Sequence, residues 1–263
     1  MKADYKNWMP KGMVVSVGCA AAVMLLLTIV LGFTPLLADG TGKTIVRIVL
    51  LVLTVVLVLV TIWMTLMYRA FSYNGKRQMS KQIIEGVASY VDIPAGGTGL
   101  DVGCGSGALT IACAKRNPEA KMIGIDRWGK EYASFSKKLC EDNARAEGVS
   151  NTSFEQGDAL KLPYADETFD AVTSNYVYHN IPSRDRQSIL LETLRTLKKG
   201  GTFAIHDIMA KARYGDMDAF AKKLKDMGYE EVQLIDTTSG KFMTRFEATW
   251  MELAGSKILV GRK

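Results

Sequence analysis

Two carboxylates bracket a run of alternating glycines. Asp101 stands two residues before Gly103, Gly105 and Gly107 follow on alternate positions, and Asp126 closes the next apolar run, Met122-Ile-Gly-Ile125. Glycine suits a sharp turn and a place where a ligand must approach bare backbone. The pattern turns helical straight afterwards, through Ile111, Ala112, Cys113 and Ala114. A helix start points unpaired N–H groups at whatever lies before it. Together these features describe a nucleotide-like ligand on a strand–turn–helix unit. Gly103 to Ala108 also fits the dinucleotide fingerprint G-x-G-x-x-G/A, so the glycines alone leave the cofactor open. The carboxylates narrow the choice. Asp101 suits a ligand with a positive amino group better than one with a pyrophosphate, and Asp126 stands where a carboxylate takes both hydroxyls of a ribose.

Further signals follow in order. Gly157-Asp158-Ala159 trails a third candidate strand, and a fourth, Phe169–Ser174, runs into Asn175-Tyr-Val-Tyr-His-Asn-Ile181. This order resembles the class I S-adenosylmethionine-dependent methyltransferases, most closely the ubiquinone/menaquinone-biosynthesis type, from about Gly97 to Asp207 with a weaker tail to the C-terminus. The resemblance implies S-adenosyl-L-methionine as cofactor. Asp101 and the loop of Gly103, Cys104, Gly105 and Gly107 would hold its methionine end, and Asp126 its ribose. Asp158 and the N–H of Ala159 would read the adenine edge, beside a wall at Leu162-Pro163.

Asn175 would line the pocket near the transferring methyl, a cofactor contact and a catalytic candidate at once. His179 stands where relatives often carry the first histidine of a His-His-Ile/Leu sequence. It is either a general base working near neutral pH or a structural group. Arg127 and Trp128 join the cofactor-binding set, although they depart from the small polar residues common there in the family. Trp128 either stacks on adenine or fills a gap between helix and sheet. Tyr176 and Tyr178 are candidate pocket walls, and Asp207 either faces the acceptor or caps the following turn. The competing class is a module that binds the cofactor and transfers nothing.

These residues need a sheet to position them. Strand patterns fall at Gly99–Val102, Lys121–Ile125, Thr152–Glu155, Phe169–Ser174, Thr202–Asp207, Glu231–Thr237 and Ser256–Gly261. Helical patterns fall at Met79–Val91, Ala108–Arg116, Lys130–Glu147, Arg184–Lys198 and Asp216–Met227. Such alternation predicts an α/β fold, a Rossmann-like, mostly parallel seven-stranded sheet with helices on both faces. The family's final strand runs antiparallel. Met79–Val91 reads as a helix packed on the sheet or as a substrate lid. Phe242, Met243, Phe246, Trp250 and Met251 form an apolar stripe at roughly helical spacing, read as core-facing or as an acceptor or membrane contact.

The N-terminal region is different. No charged residue occurs from Gly12 to Ala38 or from Ile48 to Tyr68. A helix of about 20 residues spans the hydrocarbon core of a bilayer. The expectation is a transmembrane hairpin, with helices at about 12–38 and 45–70, forming an anchor over 1–71 before a methyltransferase domain over 72–263. Lys2, Lys6 and Lys11 precede the first span, and Arg69, Lys76, Arg77 and Lys81 follow the second. Positive flanks stay inside, which places both termini and the catalytic domain on the cytoplasmic side of the cell membrane.

The formal charge of +6 is no nucleic-acid signal, because residues 72–263 keep a net +2 and the excess flanks the apolar runs. Cys19, Cys104, Cys113 and Cys140 lack C-x-x-C spacing, and His179 and His206 are the two histidines. The expectation is free thiols and no metal site. The expected partners are the bilayer and an amphiphilic or small-molecule methyl acceptor, with self-association through the apolar helices as a further route.

Overall fold

The strand that ends in Asp101, β1 (Thr98–Val102), lies inside a seven-stranded sheet of order β3-β2-β1-β4-β5-β7-β6. The computed structural model describes residues 2–129 and 134–263. From β1 the chain steps outward through α4 (Ala108–Arg116), β2 (Lys121–Asp126), α5 (Lys137–Ala146) and β3 (Thr152–Gln156). It then returns to the other side of β1 with β4 (Phe169–Asn175) and β5 (Leu197–Ile208), joined through α6 (Arg186–Arg195). These five strands pair in parallel. The short α7 (Lys211–Tyr214) and α8 (Met217–Asp226) lead to the edge strand β6 (Glu230–Asp236). After α9 (Arg245–Trp250), β7 (Ser256–Arg262) inserts antiparallel between β5 and β6. The order reverses between β1 and β4, the place where open α/β sheets bind ligands outside their strand ends. Central strands covered on both faces read as apolar runs, and Leu100, Val102, Val172, Phe203 and Leu259 are fully buried.

Several boundaries differ from the sequence expectation for local reasons. The helix expected over Lys130–Glu147 is described as α5, with Ser136 as its N-cap accepting from the Leu139 N–H; residues 130–133 lie outside the described set. The helix expected to reach Lys198 ends at Arg195, because Leu197 is wholly buried and pairs with Phe169 as the start of β5. The stripe at 242–251 is not one helical face. Only Arg245–Trp250 is helical, closed by a capping box of Thr244 and Glu247. Phe242, Met243 and Met251 are buried, whereas Phe246 is 76% exposed. In α3 (Met79–Ala88) the face of Ile83, Ile84 and Val87 is buried, and Phe242 packs over Gly86 so closely that a Cβ there would lie 2.3 Å from the ring. That contact favours the packed helix over the lid.

The chain divides into two compact units. One comprises residues 7–80; the other joins residues 2–6 to residues 81–263. The first residues thus group with residues 81–263 rather than with the two apolar helices. In the smaller unit α1 (Lys11–Phe33) and α2 (Thr41–Phe71) are long and apolar enough to cross a membrane, judged by length and composition. The first stops at Phe33, short of the expected residue 38, because Pro35 bars its predecessor from helical backbone; Thr34 is extended. The two helices pair through a hydrogen bond between the hydroxyls of Thr28 and Thr54 (2.9 Å) and close passage at Gly32, beside Arg47. Small residues and hydroxyl pairs are what hold apolar helices together where no hydrophobic driving force separates them from their surroundings. Large side chains such as Val23, Leu26, Val52 and Leu59 face outward.

Candidate functional site

The glycine loop sits at the reversal point of the sheet. Gly103, Gly105 and Gly107 all take positive φ (+74°, +55° and +80°), a conformation that costs other residues 1–2 kcal/mol, roughly. Gly103 is needed twice over, because a Cβ there would lie 2.3 Å from Val177, the loop residue after β4. The loops leaving β1 and β4 thus meet at bare backbone. Within the loop the amides of Gly103 and Cys104 share the Ile125 carbonyl (2.8 and 3.1 Å), Gly105 donates to Asp126, and Gly107 donates to the Cys104 carbonyl. Cys104, expected as a cofactor contact, donates its N–H to the Ile125 carbonyl of β2, accepts at its own carbonyl from Gly107 and buries its side chain. Its contribution is the loop's shape. Burial also pushes its thiol pKa up, so it is no nucleophile.

The two carboxylates have different surroundings. Asp101 is 1% exposed and accepts from the hydroxyls of Thr110 (2.7 Å) and Thr173 (3.1 Å). Burial raises its pKa to about 6 despite those bonds. Asp126 is half-buried at the tip of β2; Oδ2 accepts from the Gly105 N–H (2.8 Å) and Oδ1 from the Trp128 N–H (2.7 Å). Each carboxylate oxygen has a second acceptor site, so both remain chemically able to take a ribose hydroxyl. Trp128 takes a positive φ of 44° and donates its indole N–H to the Gly105 carbonyl at 3.0 Å, so it braces the glycine loop. Arg127 is exposed and its carbonyl accepts from Gln156. Asp158 closes a turn by accepting from the Leu160 N–H, with Ala159 half-buried beside it and Leu162 buried.

On the β4 side, Asn175 ends the strand and its side-chain oxygen lies 2.8 Å from Nδ1 of His206. His206, in β5, is wholly buried; its Nε2 meets the Thr237 hydroxyl at 2.9 Å. Burial lowers its pKa to about 3, so the ring is neutral. Sequence reasoning missed this residue as the support of Asn175. The available signal was a histidine directly continuing the apolar run Phe203-Ala-Ile205. Tyr176 adopts a positive φ of 55°, a strain that clusters at functional sites, and its hydroxyl bonds Ser256.

Tyr178 is a correction. It is fully buried, bonded to Thr193, and belongs to the core rather than to a pocket wall. Asp207 is settled in favour of the cap. It is fully buried and accepts from the Ile208 N–H, the His179 N–H, the His179 ring and the Tyr214 hydroxyl, which pins the loop after β4 onto the end of β5. Burial pushes the Asp207 carboxyl up, but the bonds from His179 and Tyr214 prevail and hold it below the usual range. Because an ionised carboxylate only accepts, the His179 nitrogen facing it, Nδ1 at 2.5 Å, carries the proton. In neutral His179, Nε2 is then the basic nitrogen.

The arrangement is a loop-and-carboxylate cradle at the ends of β1 and β2, with Asn175 at the end of the neighbouring β4 held by His206 of β5. A family model described as a methyltransferase domain matches residues 93–250, more than half of the chain and every element of this site. The chain belongs to the methyltransferase-domain family. Among curated relatives, a demethylmenaquinone methyltransferase of Lactobacillus johnsonii is 39% identical over 114 residues, which are 43% of this chain and 44% of that protein. The methyltransferase GfsG of Streptomyces halstedii is 30% identical over 147 residues, 56% of this chain and 50% of its own. The chain thus spans about half the length of these two relatives. Among solved structures, the [4+2]-cyclase SpnF superposes with a TM-score of 0.54 at 21% identity, covering 73% of this chain and 85% of that one. That likeness is one of fold. A fold hosts many chemistries, and the methyltransferase assignment comes from the family match.

Proposed function

We propose that this protein transfers a methyl group from S-adenosyl-L-methionine to an amphiphilic, membrane-associated acceptor, a lipid or a prenylated ring. The observation that carries the cofactor assignment is the glycine cradle at the reversal point, with Asp101 beneath it and Asp126 at its rim. Bound S-adenosylmethionine supplies an activated methyl on a sulfonium, which departs as the neutral thioether when the acceptor's electron pair takes the carbon. Asp101 would offer negative charge to the amino group, Asp126 would accept from the ribose hydroxyls, and the Asp158–Ala159 turn would read the adenine edge. Asn175, fixed by His206, lines the methyl-transfer path. His179 keeps Nε2 for the acceptor's proton, while Asp207 holds Nδ1. Alignment of donor and acceptor is the main task left to the chain.

The membrane half of the proposal rests on α1 and α2 and on the basic flanks, which would keep both termini and the domain cytoplasmic. The acceptor class draws on the same hairpin and on the demethylmenaquinone methyltransferase among the relatives, an enzyme named for a quinone acceptor. Seven residues, 72–78, separate α2 from α3. A link of that length reaches at most about 25 Å, so a domain anchored through it would work close to the headgroups. A soluble acceptor, with the hairpin serving location alone, is the alternative.

Calorimetric titration tests the cofactor site. S-adenosylmethionine should bind and NADH should not, and Asp126→Ala should weaken binding about tenfold or more, the scale of a lost charge-assisted pair of hydrogen bonds. An unchanged affinity removes Asp126 from the ribose site. For the topology, the exposed Cys19 is first replaced by serine. A cysteine at Thr41 should then react with an impermeant maleimide from outside the cell, and one at Gly75 only after the cytoplasmic face is opened. Reaction of both from one side shows that the hairpin does not span.

A further inference from the structure

We propose that residues 2–6, the stretch ahead of the first apolar helix, are a working part of the cofactor site: a strap fastened by the Asn143 side chain to the glycine loop. Asn143 lies in α5 and is 2% exposed. Its Oδ1 accepts from the Asp4 N–H at 2.7 Å, and its Nδ2 donates to the Asp4 carbonyl at 3.1 Å and to the Ser106 carbonyl at 2.9 Å. One amide therefore pairs with both backbone groups of Asp4, as a neighbouring strand would, and uses its second hydrogen on the loop between Gly105 and Gly107. One turn earlier on the same helix, Cys140 directs its thiol to the Gly105 carbonyl at 3.2 Å. Two successive loop carbonyls are thus held from α5, and the strap is tied to one of the two anchors.

The strap has a shape of its own. The Asp4 carboxylate accepts from the Lys6 N–H (3.0 Å) and the Lys6 ammonium (2.5 Å), closing a tight turn in which Lys6 has a positive φ of 57°. Tyr5 between them is buried. If the strap leaves, the buried Asn143 amide loses two of these three partners, and a buried amide with unmet hydrogen-bonding groups reorients to recover them. Its hold on Ser106 is then no longer fixed. The strap docks on the domain of residues 81–263 and continues directly into the unit that holds α1 and α2. The loop that would cradle the cofactor is thereby fastened to chain on both sides of the hairpin.

The proposal rests on the reading that the glycine loop holds S-adenosylmethionine. Its test uses the full chain in detergent micelles and the stable product S-adenosylhomocysteine as probe. Asp4→Pro removes the N–H that Asn143 accepts and leaves the loop and α5 untouched. Affinity should fall by about fivefold or more, the lower range of couplings between sites. Coupling is reciprocal, so saturating S-adenosylhomocysteine should protect the strap in turn. In an Ala3→Cys, Cys19→Ser chain, maleimide modification of the thiol introduced in the strap should slow, a readout that does not depend on the proline variant folding. Equal affinities of the native chain and a folded Asp4→Pro chain overturn the proposal, as does a strap modification rate that the probe leaves unchanged. A native chain that does not bind the probe at all overturns the underlying reading of the loop instead.

Discussion

Asp101 sets two demands against each other. Without ligand its carboxyl is buried and its pKa is raised from 3.8 to about 6. Folding therefore favours the protonated form. The contribution is present in full below pH 3.8 and is lost as pH rises through about 6, an amount of about 3 kcal/mol. A cationic amino group arriving above the loop requires the opposite, an ionised Asp101. Asp101→Asn separates the two. The amide oxygen still accepts from Thr110, and its NH2 can donate to Thr173, whose hydroxyl turns to the Leu100 carbonyl 3.4 Å away. At pH 7.5 the ligand-free variant should unfold at a temperature no lower than the native chain, while S-adenosylmethionine affinity falls about tenfold or more, the order of a charged hydrogen bond. A variant that is less stable without ligand contradicts this account of Asp101. The types and spacing of Asp101, the glycines and Asp126 were legible in the sequence because turn and ligand chemistry restrict those positions to few residues. Their hydrogen bonds were not. That Asp126 holds the Gly105 and Trp128 amides depends on β2 ending beside the loop, which only the sheet order determines.

Among the elements, β4, β5 and β7 share one buried polar seam. His206 links Asn175 at the tip of β4 to Thr237 after β6, and Thr237 in turn bonds the Ser256 carbonyl at the start of β7. A histidine held at a pKa of about 3, below its ordinary 6.5, contributes stability that is present above pH 6.5 and is lost as pH falls towards 3. Its slope opposes that of Asp101. His206→Gln should flatten the loss of stability between pH 6.5 and 4, read as the thermal midpoint against pH, and should reduce turnover by freeing Asn175. An acid limb as steep as that of the native chain shows that His206 is not the group responsible. Alternation located every strand and so the α/β class, since buried parallel strands and amphipathic helices differ in period. It misplaced the ends. Leu197 begins β5 before Gly200 and Gly201, because its pairing with Phe169 outweighs the local glycine signal. Residues 242–251 look periodic, yet three of those apolar side chains are buried and Phe246 is not.

Across the whole molecule, the unexpected feature is that the domain is discontinuous in sequence. Residues 2–6 belong with residues 81–263, and the pair of apolar helices is inserted between them. No periodicity in a segment of five residues signals such a return; it depends on tertiary contacts, the buried Tyr5 and the amide of Asn143 among them. The apolar helices themselves were plain in the sequence, apart from the stop at Thr34-Pro35. The central claim is that a methyltransferase domain fastened to this hairpin acts on an amphiphile. The direct measurement incubates the purified full-length protein and methyl-labelled S-adenosylmethionine with native membrane extract and, separately, with cytosolic extract. The account predicts label in a product that partitions into organic solvent, formed from the membrane extract alone and lost with Asp126→Ala; label found only in water-soluble products contradicts it.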